Sequence, residues 1–234
     1  MEDSVQKIAL KDADASLQHK FISQVYLWMA GALLLSGAMA FFVANSEVLL
    51  RLILGNKFVF FGILIAEFIL VGYFSSRIRY MSVKTAFVVF LLYSLLNGVT
   101  LSVIFLAYTA SSIAYIFLIS ALMFGAMSVF GATTKINLTS IGRYLSMAII
   151  GIVIASLANI FLKSSRFDWV ISIISVVVFT GLTAYDTQKI LALSIYADDS
   201  DGCKKAAVYG ALELYLDFIN LFLRLLRLFG KRRD

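Results

Sequence analysis

The stretch Ala207–Gly230, AVYGALELYLDFINLFLRLLRLFG, is long enough to cross a bilayer core, which takes about 20 apolar residues in a helix. Polar residues interrupt it in a pattern. Glu213, Asp217, Asn220, Arg224 and Arg227 stand at intervals of four, three, four and three residues, and at about 100° per residue such steps stay within one narrow stripe of a helix. The other faces are dominated by Leu, Phe, Ile, Tyr and Ala. An ionisable group inside a span costs roughly 2.5–3.5 kcal/mol on insertion scales, so the stripe faces a protein interior or a water-filled path, not lipid. Glu213, near the start of the run, is expected to snorkel to the interface. Asp217 cannot do so, because its short side chain sits about ten residues into the span.

The rest of the chain repeats the apolar run without the stripe. Of its 234 residues 61% are hydrophobic, well above the 45–50% or so typical of soluble domains, and the mean hydropathy is +0.92. The runs are too long and too uninterrupted for β-barrel strands of about ten alternating residues, so the spans are helices whose backbone groups pair internally. The fold class is all-α, a polytopic membrane protein. Seven runs stand near residues 22–44, 57–76, 85–108, 113–132, 144–162, 169–187 and 207–228. They divide the chain into an N-terminal tail (1–21), a seven-helix transmembrane domain (22–230) and a basic C-terminal tail (231–234). The connections RIRYMSVK, TASS and KSSRFD are short, which makes consecutive helices antiparallel neighbours and puts function inside the bundle. The N-tail lacks a short apolar core followed by a small-residue cleavage site and is read as retained.

With the N-terminus cytoplasmic, the tail and even-numbered loops hold about eleven Lys and Arg against about four in the odd-numbered loops, in line with the positive-inside rule. One feature opposes this. RLLRLFGKRRD puts five basic residues outside if the last span crosses; either it crosses fully, the expectation taken here, or it is re-entrant. The net charge of +6 is accounted for by topology and anionic lipid, so a nucleic-acid partner is not expected.

Three further polar features need a protein environment. Glu67 lies mid-span in FVFFGILIAEFILVGYFSS, Thr180, Thr183 and Asp186 or Thr187 form a seam on the sixth span, and Tyr93, Asn97 and Thr100 form another on the third. Arg77 and Arg79 close the second span on the same side as Asp186 in the seven-span topology, where a latch is geometrically possible; Arg224 or Arg227 could serve as counter-charge to Glu67. Asn97 also has a plain reading as interhelical glue. Gly98, Gly125, Gly151 and Gly181 are expected at close helix approaches. The loop ADDSDGCKK lacks the spacing and closing Glu of an EF-hand, and a lone Cys203 makes no intrachain disulfide.

FTGLTAYDTQKI (179–190) followed by YGALELYLDFINLFLRLLRLFG (209–230) resembles the signature region of the Bax inhibitor-1, or TMBIM, family in its bacterial branch. The resemblance implies six helices wrapped around a central C-terminal helix, and a calcium leak regulated by pH through a hydrogen-bonded aspartate pair. Residue by residue, the pair falls on Asp186 and Asp217, the latch on Arg77 or Arg79, and a second ion pair on Glu67 and Arg227; Asn220, Arg224, Thr183 and Asn97 form the supporting polar seam. Two carboxylates in contact in a low-dielectric core share a proton and titrate as one unit. They are also hard oxygen ligands suited to a passing calcium ion, so sensor and permeation site coincide on Asp186 and Asp217. Calcium is then the permeant ion, with no cofactor.

The leading expectation is therefore a pH-sensitive calcium leak channel of a bacterial inner membrane. The alternatives are a membrane regulator that binds another membrane protein, such as a protease or stress factor, without transport, and a proton-coupled ion antiporter. An enzyme is not expected: the single His19 lies in the N-tail, and an aspartyl intramembrane protease would carry a glycine motif where this chain reads YLDFIN.

Overall fold

The computed structural model describes residues 2–198 and 200–233, with residues 2–15 as backbone alone. Met1 and Asp234, at the ends of the two expected tails, and Asp199 of the acidic loop lie outside the described residues. The helices are α1 (Glu2–Ala44), α2 (Glu47–Leu54), α3 (Lys57–Arg77), a 3-10 turn (Ile78–Tyr80), α4 (Val83–Ala107), α5 (Ala110–Thr133), α6 (Thr139–Leu162), α7 (Ser165–Ser194) and α8 (Asp201–Phe229). All but α2 and the 3-10 turn are long and apolar enough to cross a membrane, which makes the seven expected spans.

Two features add to the sequence reading. α1 runs unbroken from Glu2 to Ala44, so one helix takes in both the expected N-tail and the first span. No Gly or Pro occurs before Gly31 to stop it. The loop after α1 also contains the short α2, which starts on Ser46, whose Oγ accepts from the Leu49 N–H at 3.4 Å. With Ile53 buried and the Glu47–Arg51 pair exposed, α2 is amphipathic, and its eight residues are too few to span.

The chain forms two compact units. The first comprises residues up to 106 with 190–212. Here Gly98 lets α4 close on α1: a Cβ at that position would meet the Ser36 carbonyl oxygen at 2.6 Å and Met39 Cβ at 2.8 Å. Beside it the Ser36 hydroxyl donates to the Ser94 carbonyl at 2.7 Å. The start of α8 joins through Tyr209, stacked on Phe74 at 6.3 Å between ring centroids, and through Lys205, whose Nζ donates to the Arg79 carbonyl at 3.0 Å.

The second unit comprises residues 107–189 with 213 onward. Phe117 and Phe124 of α5 pack edge-on against Phe218 of α8 at 5.2 and 5.6 Å. The C-terminal residues fold back along the α4–α5 connection. Arg232 forms an antiparallel bridge with Tyr108, the Thr109 N–H donates to the Lys231 carbonyl at 3.1 Å, and the Arg233 N–H donates to the Ala107 carbonyl at 3.0 Å.

α8 continues without a break from Asp201 to Phe229, about 44 Å at 1.5 Å per residue, and so does not turn back as a re-entrant segment must. It is also the best buried of the spans: 67% of its most apolar stretch is inside the protein, against 6% to 44% for the others. A helix enclosed to that degree can carry a polar stripe, because the stripe meets side chains and not hydrocarbon.

Candidate functional site: a carboxylate pair beside a lysine

On α7, Asp186 and Lys189 are three residues apart, and on α8, Glu213 and Asp217 are four apart. Each pair therefore occupies one turn of one helix face. The Asp186 and Asp217 side chains stand within hydrogen-bonding reach of each other. Since ionised carboxylates only accept, a bond between them needs a proton on one. Both are buried, at 9% and 6% exposure, and Asp217 Oδ2 receives no hydrogen bond among the described residues. One turn away, Lys189 Nζ lies 2.6 and 2.9 Å from the two oxygens of Glu213. The charges of Lys189 and Glu213 both act on both aspartates.

The structure thus replaces the snorkelling expected of Glu213 with an ion pair inside the protein. Lys189 is the site residue that the sequence reading missed, although the matched one-turn spacings Asp186–Lys189 and Glu213–Asp217 could have indicated it.

The α7 backbone is held closely at this level. A Cβ on Gly131 of α5 would run into the Ala184 carbonyl, and one on Gly142 of α6 would run into the Tyr185 ring. Gln188 fixes the α5–α6 connection from below, accepting from the Leu138 N–H at 2.8 Å and donating to the Ile136 carbonyl at 2.9 Å. Of the glycines expected at close approaches, Gly98 and Gly181 meet a neighbouring helix, whereas Gly125 and Gly151 face nothing within 4 Å. Thr183, fully buried, donates to the Phe179 carbonyl of its own helix at 2.8 Å.

The rest of the α8 stripe is also partnered. Asn220 donates to the Leu216 carbonyl at 2.8 Å, Arg224 reaches Ser156 Oγ on α6 at 3.4 Å, and Arg227 Nε sits 2.8 Å from Asp168 Oδ2 at the start of α7. In the first unit, Glu67 accepts from Thr100 Oγ1 at 2.8 Å and from the Asn97 side chain. The two members of the expected second ion pair, Glu67 and Arg227, therefore have these other partners. Arg77 and Arg79 are exposed, and among the described residues neither forms a salt bridge.

Chemically the site offers hard oxygen donors close enough to share a proton. Among the described residues, no group of three or more His, Cys, Asp or Glu side chains is arranged to hold a metal ion. Calcium takes 6–8 oxygens at about 2.3–2.6 Å, more than the two carboxyls of the aspartate pair offer.

The family profile described as "Inhibitor of apoptosis-promoting Bax1" matches residues 18–234. The chain belongs to the Bax inhibitor-1 family. It is 48% identical over 215 residues to the "Inner membrane protein YbhL" of Escherichia coli K12, covering 91% of this chain and 92% of that one. It is 44% identical over 219 residues to a protein of Borreliella burgdorferi, covering 93% and 94%, and 36% identical over 235 residues to one of Deinococcus radiodurans that it covers end to end. As a Bax inhibitor-1 family member with seven membrane-crossing helices, the protein is an integral membrane protein.

Proposed function

We propose that this Bax inhibitor-1 family protein is a pH-sensitive calcium leak channel of the bacterial inner membrane, gated by the Asp186–Asp217 pair. The observation that carries the reading is the pairing of two buried carboxyls on neighbouring helices, one of which has an oxygen, Asp217 Oδ2, that no donor among the described residues satisfies. Packing does not need such a pair; an apolar pair of similar size would cost less. Adding or removing its proton changes the charge between α7 and α8, which supplies a two-state element.

A change in the charge of the pair alters whether Asp186 pairs with Asp217 or with a basic latch, Arg77 or Arg79, and calcium passes at these carboxylates. The N-terminus is cytoplasmic in this reading, and the permeant species are calcium and, at the pair, protons. The chemistry is transport without catalysis. A relative named as an inner membrane protein supports the choice of membrane.

The test is calcium entry into proteoliposomes that hold only the purified protein. Entry above that into empty vesicles, varying with pH, is expected; no entry at any pH from protein shown to be folded would refute the channel and favour a regulator that acts by binding another membrane protein.

A further inference from the structure

Glu67 is the eleventh of the 24 residues in the span Lys57–Tyr80, about as far from either membrane surface as α3 allows. Much of that helix faces outward. Phe61, Ile65, Phe68 and Ile69 are exposed, and the two buried residues of α3 are Glu67 and Phe74. Seven residues apart, these two share one face, so the most enclosed line on α3 holds one ring and one carboxyl.

The groups that meet this carboxyl are neutral. Thr100 Oγ1 of α4 lies 2.8 Å from Glu67 Oε1, and the Asn97 side chain bonds to it as well. The Tyr93 phenol, further along α4, is near enough for a charge on Glu67 to act on it. Among the described residues no lysine or arginine forms a salt bridge with Glu67. The other charges of α3 and α4 stand at the helix ends, on Lys57, Arg77 and Lys84, and α1 carries none from Phe21 to Ala44.

The Thr100 hydroxyl has a single hydrogen and two acceptors in reach. One is Glu67 Oε1 at 2.8 Å; the other is the Asn97 carbonyl, on its own helix, at 2.9 Å. With Glu67 ionised, that hydrogen serves one acceptor at the expense of the other. With Glu67 protonated, both short contacts are full hydrogen bonds: the carboxyl donates to Thr100 Oγ1, and Thr100 donates to the Asn97 carbonyl. An ionised carboxylate without a cation is also costly in a low-dielectric interior, where such groups take up a proton instead.

We propose that Glu67 is a second proton-binding site, separate from the aspartate pair, whose carboxyl holds a proton at neutral pH and docks α3 on α4 by donating a hydrogen bond to Thr100. The bond that runs from hydroxyl to carboxylate when Glu67 is ionised is then reversed. The site belongs to the first unit, whereas Asp186 and Asp217 belong to the second. It does not rest on the leak reading, because its test reads a proton and not a flux.

The experiment is infrared spectroscopy of the full-length protein in lipid vesicles at neutral pH, in H2O and in D2O, with the spectrum of Glu67→Gln subtracted from that of the unmodified chain. Any band of the aspartate pair is common to both and cancels. A protonated carboxyl has a carbonyl stretch above the amide region that moves on deuteration, and the difference spectrum is expected to show one such band, lost in the variant. Gln can donate to Thr100 as the protonated carboxyl does, so Glu67→Gln is expected to fold. A difference confined to the carboxylate region, with nothing above the amide bands, overturns the proposal. If Glu67→Gln does not remain monodisperse, Thr100→Val decides: a shift of the deuterium-sensitive carbonyl band supports the site, and a spectrum unchanged above the amide region overturns it.

Discussion

Lys189 of α7 grips Glu213 of α8 through both carboxylate oxygens, at 2.6 and 2.9 Å, one turn from the paired Asp186 and Asp217. The two contacts join the same pair of helices with opposite chemistry: one is an attraction of full charges, the other an approach of two carboxyls that can bond only through a shared proton. A partly exposed ion pair contributes modestly, so a double-mutant cycle of Lys189→Met and Glu213→Gln should give a coupling of about 1 kcal/mol in thermal unfolding of the detergent-solubilised protein. A coupling near zero would show that the pair adds no stability.

Asp217→Asn should leave the fold intact. Its amide can donate to Asp186 where the carboxyl needed a proton, so stability should change by less than about 1 kcal/mol. Asp217→Ala removes the partner and leaves a cavity, and should cost about 2 kcal/mol or more. Melting curves of the two variants side by side check the ordering.

Gly131→Ala should destabilise by about 1–3 kcal/mol, since its Cβ runs into the Ala184 carbonyl and forces α5 off α7. Gly125→Ala, on the same helix with nothing within 4 Å, should be neutral or stabilising by up to about 1 kcal/mol, as expected for Gly to Ala in an open helix position. The contrast within one helix separates the collision from helix propensity. The Gly131 variant should also disturb calcium flux, because Ala184 lies two residues before Asp186.

The bridge between Tyr108 and Arg232 places the C-terminus beside the α4–α5 connection. Opposed residues of an antiparallel pair have Cα atoms about 4.5–5.5 Å apart, inside the range a disulfide accepts. Tyr108→Cys with Arg232→Cys, in a Cys203→Ser background, should therefore oxidise to an intramolecular cross-link seen as a mobility shift that reductant reverses. A chain that stays uncrosslinked under oxidant would place the tail elsewhere.

Much of this architecture is written in the hydropathy of the chain. Runs of about 20 apolar residues fix seven spans because the bilayer sets their length, and the 4-3-4-3 stripe of α8 marks the helix that must be enclosed. The stripe also identified Asp217, whose short side chain has no route to water. What the sequence left open depends on which helices meet. Glu213 looks like an end-of-span residue until α7 brings Lys189 to it, and Arg227 could answer any acid at its depth, yet the structure pairs it with Asp168. Among the glycines spacing was a weak guide: Gly131 and Gly142 clasp α7, while Gly125 and Gly151 face open space. The helical character of residues 2–15 was hidden by their charge, which argued for a tail, although nothing in them breaks a helix.

The most direct test of the central claim is the pH profile of calcium flux through reconstituted protein, measured in parallel for the unmodified chain, Asp186→Asn and Asp217→Asn. The account predicts that flux through the unmodified protein varies between mildly acidic and mildly alkaline pH and that each substitution flattens the profile in protein that remains folded. A profile that keeps its shape in both variants would contradict gating by the aspartate pair.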